Sequence, residues 1–171
     1  MRTLSLLRHA KSSWDDASLD DHERPLNKRG TKDAPRVGSF LQEHGLVPEL
    51  VLCSDAVRAR ATLTLVLSAF DGPAPTVEYD PRLYMSEPAA ILEVLTRTGP
   101  EVGHCLIVGH NPGLHALALV LTGSGERKAL AGLAAKFPTA ALAVIDLDAE
   151  RWDRLKPGTG RLRLFATPKD L

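Results

Sequence analysis

Apolar runs of strand length alternate along this chain with longer stretches of helical spacing, the pattern expected of a mostly parallel sheet covered by helices. The runs predict strands at Thr3 to Leu7, Leu50 to Cys53 and Cys105 to Val108, with a short strand around Thr76 to Tyr79. Ala141 to Leu147 and Arg161 to Thr167 predict two more, pairing antiparallel at one edge. Between them, helices are predicted from about Thr31 to His44 and from about Pro88 to Thr98, and behind Ser54 or Asp55, either of which can cap. In that last helix Ala59, Leu63, Val66, Leu67 and Phe70 share one buried face. A fourth helix should start with Asn111 as cap and Pro112 as its first residue, ending near Gly123. The stretch 123–138 is part Ala/Leu-rich and part Gly/Lys/Arg loop, and its pattern chooses neither state. The expected fold is α/β, three layers with helices on both faces of the sheet.

The chain has 171 residues, 44% of them hydrophobic, enough to bury one core, so residues 1–171 are expected to form a single domain. Acidic and basic residues balance at 21 each, which leaves no overall field for nucleic acid or an anionic membrane surface. No run reaches the roughly 18 apolar residues of a membrane span, and the charged start from Met1 to His9 does not read as a secretory signal, so a cytoplasmic protein is expected. Cys53 and Cys105 lie in apolar strands and read as buried reduced thiols. Any anion site must be built locally.

In open α/β sheets ligands bind beyond the carboxyl ends of the strands. There the first strand delivers Arg8 and His9, the second delivers Ser54 and Asp55 with Arg58 one turn later, and the strand at 105–108 delivers Gly109, His110 and Asn111. Taken singly, a strand-end histidine is usually a half-buried polar residue and Arg58 a solvated helix residue. Their convergence on one rim argues otherwise. Guanidinium forks and helix N-termini suit a dianionic phosphoryl group, and the same cations oppose protonation of a neighbouring imidazole. His9 is then expected to be neutral and nucleophilic at pH 7.

"LLRHAK" resembles the Arg-His-Gly signature of the histidine phosphatase superfamily, the phosphoglycerate-mutase-like fold, with Ala10 in place of the usual Gly. "SDAVRARAT" and "VGHNPG" are similar to two further segments of that family, and "RPLNKRG" to the early loop of its branch of SixA-type phosphohistidine phosphatases. The resemblance covers essentially the whole chain in order. It implies a phosphatase that needs neither cofactor nor metal, in which His9 becomes phosphorylated while Arg8, Arg58 and His110 bind the phosphoryl oxygens. Arg24 and Lys11 are candidates to touch the phosphate or its leaving group, against a reading as solvated charges. Larger members protonate the leaving oxygen with a carboxylate, for which Glu87 in "RLYMSEPAA" is the candidate; beside Pro88 it reads equally as a carboxylate complementing a helix start. The chain is short for the family, so an open cleft is expected, taking phosphohistidine on a protein or small phosphomonoesters.

Rival chemistries lack their patterns. No His-x-His or His-x-x-x-His ligand spacing is present, no Gly-x-Ser-x-Gly elbow would let Ser54 act with His110, and neither a Walker loop nor a Gly-x-Gly-x-x-Gly fingerprint occurs. The remaining alternative is a phosphate- or phosphoprotein-binding module of the same fold without turnover.

Overall fold

The computed structural model describes residues 1–171. β1 (Arg2–Arg8), β2 (Leu50–Cys53), β3 (Thr76–Tyr79), β4 (His104–Gly109), β5 (Thr122–Gly125), β6 (Leu142–Leu147) and β7 (Gly160–Ala166) form one sheet in the order β3-β2-β4-β1-β6-β7-β5. Neighbours run parallel except on the two sides of β6, which is antiparallel to both β1 and β7. The sheet is therefore mostly parallel.

β1 shows why the sheet carries helices on both faces. Leu4 and Leu6 enter a core with Ile107, Leu117 and Ile145, whereas Leu7 points the opposite way, as alternation along a strand requires, and packs with Leu106, Val108 and Val144. α1 (Lys28–Glu43) and α2 (Val57–Leu67) cover the face of Leu7 through Val37, Leu41, Leu63 and Val66. α3 (Pro88–Thr96) and α4 (Gly113–Leu121) cover the other face through Ile91, Leu95, Leu114 and Leu117, joined by Leu133 of α5 (Arg127–Ala135). No helix is long and apolar enough to cross a membrane.

α1 begins three residues earlier than its apolar spacing predicts, because Asn27 Oδ1 accepts from the Gly30 N–H at 2.9 Å and caps it. Gly30 is required for a further reason: a Cβ there would lie 2.1 Å from the Lys11 carbonyl oxygen, so the loop after β1 rests directly on the start of α1. Two local expectations are corrected. Asn111 does not cap α4; its Nδ2 donates to the Phe137 carbonyl at 2.7 Å, and the helix starts at Gly113. The stretch 123–138 contains β5's end and α5, and β5 pairs with β7, so the β6/β7 pair lies one strand inside the edge. Cys53 and Cys105 are both free and buried, on opposite faces of adjacent strands, and burial pushes the Cys53 thiol up to about 12.

Candidate active site

The order β2-β4-β1 places three carboxyl ends side by side. The ladder extends past the strand ends, with the His9 N–H donating to Gly109 O at 3.0 Å and the Ser54 N–H to Val108 O at 3.0 Å. Arg8 and His9 from β1, His110 from β4 and Arg58 from the first turn of α2 consequently line one cleft of about 290 Å³, together with Lys11, Arg24 and Asp21. Four cations face one carboxylate there, which makes the cleft attractive to an anion.

His9 is 6% exposed, and its orientation is fixed from behind. Its Nδ1 lies 2.8 Å from the Ala10 carbonyl oxygen. A carbonyl only accepts, so Nδ1 carries the proton and Nε2 keeps its lone pair. Nε2 faces the Nε–H of Arg58 at 3.4 Å. The Ala10 peptide is itself anchored, its N–H donating to Thr62 Oγ1 at 2.9 Å while that hydroxyl donates to Arg58 O at 2.7 Å. Alanine at position 10 costs no backbone strain, since Met85 and Ala140 are the only non-glycine residues with positive φ. The His9 pKa is lowered to about 4, chiefly by burial and further by Arg58, Arg8 and Arg24. Desolvation thus outweighs the cation repulsion that the sequence suggested.

His110 stands beside it, ring centroids 5.1 Å apart. Its Nε2 is 2.7 Å from Ser54 Oγ, which also accepts from the Ala56 N–H at 3.2 Å. Burial, then His9 and Arg58, lower its pKa to about 3. Arg8 donates from Nη1 to Phe137 O at 3.1 Å, while its buried Nε and the buried Nδ1 of His110 have no partner within the protein. Arg24 is buried over the face of Trp14, its guanidinium carbon 3.5 Å from the ring centroid, and its Nη1 donates to Ser12 Oγ at 2.7 Å.

The residue that sequence reasoning missed is Asp21. Arg58 donates from Nη1 to its main-chain oxygen at 2.6 Å and from Nη2 to Oδ2 at 2.9 Å, and Arg24 donates from Nε to Oδ1 at 3.1 Å. Tyr84 adds its hydroxyl to Oδ2 at 2.5 Å. That hydroxyl, followed by Arg58 and Arg24, holds the Asp21 carboxyl far below the usual carboxylate range. Nothing in the charge-rich loop distinguishes Asp21 from Asp15, Asp16 or Asp20, so no local signal could have found it. Ser54 and Thr62 were visible as the first and last letters of "SDAVRARAT", though their contacts were not. Glu87 is where the sequence expectation fails geometrically. It is exposed at the N-cap position of α3 and does not line the cleft, because α3 carries it away while Tyr84 and Met85 of the same segment turn inward. No group of three His, Cys, Asp or Glu side chains is placed to hold a metal ion.

Residues 4–84 match the family described as the histidine phosphatase superfamily, branch 1. A structure assigned as the phosphohistidine phosphatase SixA of Agrobacterium tumefaciens superposes with a TM-score of 0.82 at 30% identity, covering 98% of both chains. This chain belongs to the histidine phosphatase superfamily. Within it the similarity is to the SixA-type branch: a protein histidine phosphatase SixA complexed with tungstate aligns with a TM-score of 0.77 at 25% identity, over 98% of this chain and 97% of that one. A Mycobacterium leprae protein described only as uncharacterized is 39% identical over 167 residues, 95% of this chain and 100% of its own length.

Proposed function

We propose that the protein is a phosphatase working through a phosphohistidine on Nε2 of His9, without a metal ion. The observation that carries this reading is the 2.8 Å contact from His9 Nδ1 to Ala10 O, which leaves the Nε2 lone pair in a cleft of four cations. A phosphoryl group entering the cleft would meet the guanidinium groups of Arg8 and Arg58, which supply the positive charge a cation would otherwise provide. Nε2 attacks phosphorus, the bond to the leaving atom breaks, and the electron pair departs with that atom. Water then attacks the phosphorus of the phosphohistidine, Nε2 recovers its pair, and inorganic phosphate leaves with the proton balance closed by solvent. His110 and Arg58 would bear the charge of the phosphoryl oxygens in both steps, with Arg24 and Lys11 lining the same cleft.

Because Asp21 is held ionised by its donors and Glu87 lies outside the cleft, no carboxylic acid stands ready to protonate a poor leaving group. A phosphoramidate nitrogen leaves more readily than an alkoxide and needs less acid help. That favours phosphohistidine on a protein over alkyl phosphates, in keeping with the SixA similarity. Brief mixing with labelled phosphohistidine substrate should trap a phosphoenzyme whose bond is acid-labile and alkali-stable. His9→Ala should abolish label and turnover together. A label that survives in His9→Ala, or turnover restored only by a divalent metal after EDTA, sinks the reading.

A further inference from the structure

The histidine cleft continues into a second groove. Lys11, Ser12 and Trp14 line both, and the second, of about 700 Å³, runs on to Lys28 and Arg29 at the start of α1. Three cations, Lys11, Lys28 and Arg29, face one carboxylate, Asp15, along it. Neither Lys11 nor Lys28 has an ion-pair partner in the chain, and Arg29, with its side chain 63% exposed, reaches only Asp33 at 3.5 Å.

Trp14 is 70% exposed although Arg24 fixes its ring by stacking at 3.5 Å. An indole held in one orientation and left open to solvent is a preformed contact, since its ordering has been met before any partner arrives. The groove's floor is equally fixed. Ser13 N–H donates to Pro25 O at 2.8 Å and Asn27 N–H to Lys11 O at 3.0 Å, while the close approach of Lys11 O to Gly30 locks the loop onto α1.

A small phosphate ester seated on His9 would leave this groove empty; a polypeptide would not. We propose that the groove docks an acidic segment of the polypeptide whose phosphorylated side chain enters the histidine cleft, with Trp14 as the apolar contact and Lys28 and Arg29 reading the charge. This rests on the phosphatase reading above.

Trp14 reports its own occupancy, because the other tryptophan, Trp152, is 1% exposed. An unphosphorylated peptide with a run of Asp and Glu beside a histidine should change Trp14 emission, with an affinity that weakens as salt rises. The same peptide with Lys replacing the acids should not. Lys28→Gln/Arg29→Gln leaves every residue of the histidine cleft in place, and Asp33, which Arg29 reaches, keeps its other partner Arg36 at 3.4 Å, so folding is retained. In it, acidic-peptide binding should weaken by roughly tenfold. Its kcat/KM for the phosphohistidine form of that peptide should fall by the same factor, with turnover of para-nitrophenyl phosphate unchanged. Equal binding of the two peptides, or equal binding by wild type and variant, overturns the proposal. So does an oligonucleotide that binds as well as the acidic peptide, which would mark a site for any polyanion. The titration needs no turnover: a wild type that binds the acidic peptide but hydrolyses neither substrate would sink the phosphatase reading and leave the groove standing.

Discussion

Asp21 grips Arg58 from two sides, through its main-chain oxygen at 2.6 Å and its carboxylate at 2.9 Å, and so turns the Arg58 Nε toward His9 Nε2 at 3.4 Å. A carboxylate inside an anion cleft opposes the charge of a phosphoryl group, yet it fixes the guanidinium that receives it. Asp21→Asn should separate these effects. Relief of repulsion lowers KM, while a loosened Arg58 lowers kcat by about tenfold, equivalent to about 1.4 kcal/mol. Steady-state kinetics on para-nitrophenyl phosphate check it; a higher KM with unchanged kcat would give Asp21 a purely substrate-binding part.

Ser54→Ala removes the hydroxyl 2.7 Å from His110 Nε2 and leaves that buried nitrogen unpaired. Stability should fall by about 1 to 3 kcal/mol, the usual cost of a buried polar atom without a partner. Turnover should fall as well, since His110 loses its fixed orientation. Urea unfolding and phosphoenzyme formation rates measure the two losses, and a variant as active as wild type would show that packing alone orients His110.

His9, His104 and His110 have pKa values lowered to about 4, about 4 and about 3, each chiefly by burial, against about 6.5 for a free imidazole. Between the folded and unfolded values the unfolded chain binds more protons, so stability rises with pH there. It should be complete above about pH 6.5 and lost progressively as pH falls through 4, at up to about 1.4 kcal/mol per pH unit for each histidine. Unfolding midpoints at pH 7, 5.5 and 4.5 test this, and His104→Gln, far from the cleft on the Ser5 side of β4, should flatten the dependence. Protonation of His9 should likewise not depress kcat/KM between pH 7 and 5.

Glu87→Gln should change kcat/KM by less than about twofold on both aryl and alkyl phosphates, because an exposed helix-start carboxylate contributes only about 0.3 to 1 kcal/mol of dipole interaction. A large loss confined to alkyl phosphates would require α3 to bring Glu87 into the cleft during turnover.

The sequence alone determined six of the seven strands and four of the five α-helices and named most of the cleft, because both rest on short-range regularities. β2 matches its apolar run residue for residue, since a strand buried on both faces must be apolar throughout; β3 keeps its expected bounds as an exposed strand at the sheet edge. Arg8, His9, Arg58 and His110 were legible because each follows a strand end, and a parallel sheet gathers its carboxyl ends on one side. Tertiary structure decided what depends on contacts between distant segments. β5 has no apolar pattern, and only pairing with β7 makes it a strand. Asp21 is one of several acidic residues in an aperiodic loop, and its hold on Arg58 spans 37 positions of sequence. The His9 tautomer and the distance of Glu87 from the cleft belong to the same class: each is set by which atom lies within about 3 Å of another, a relation that folding creates and residue spacing does not record.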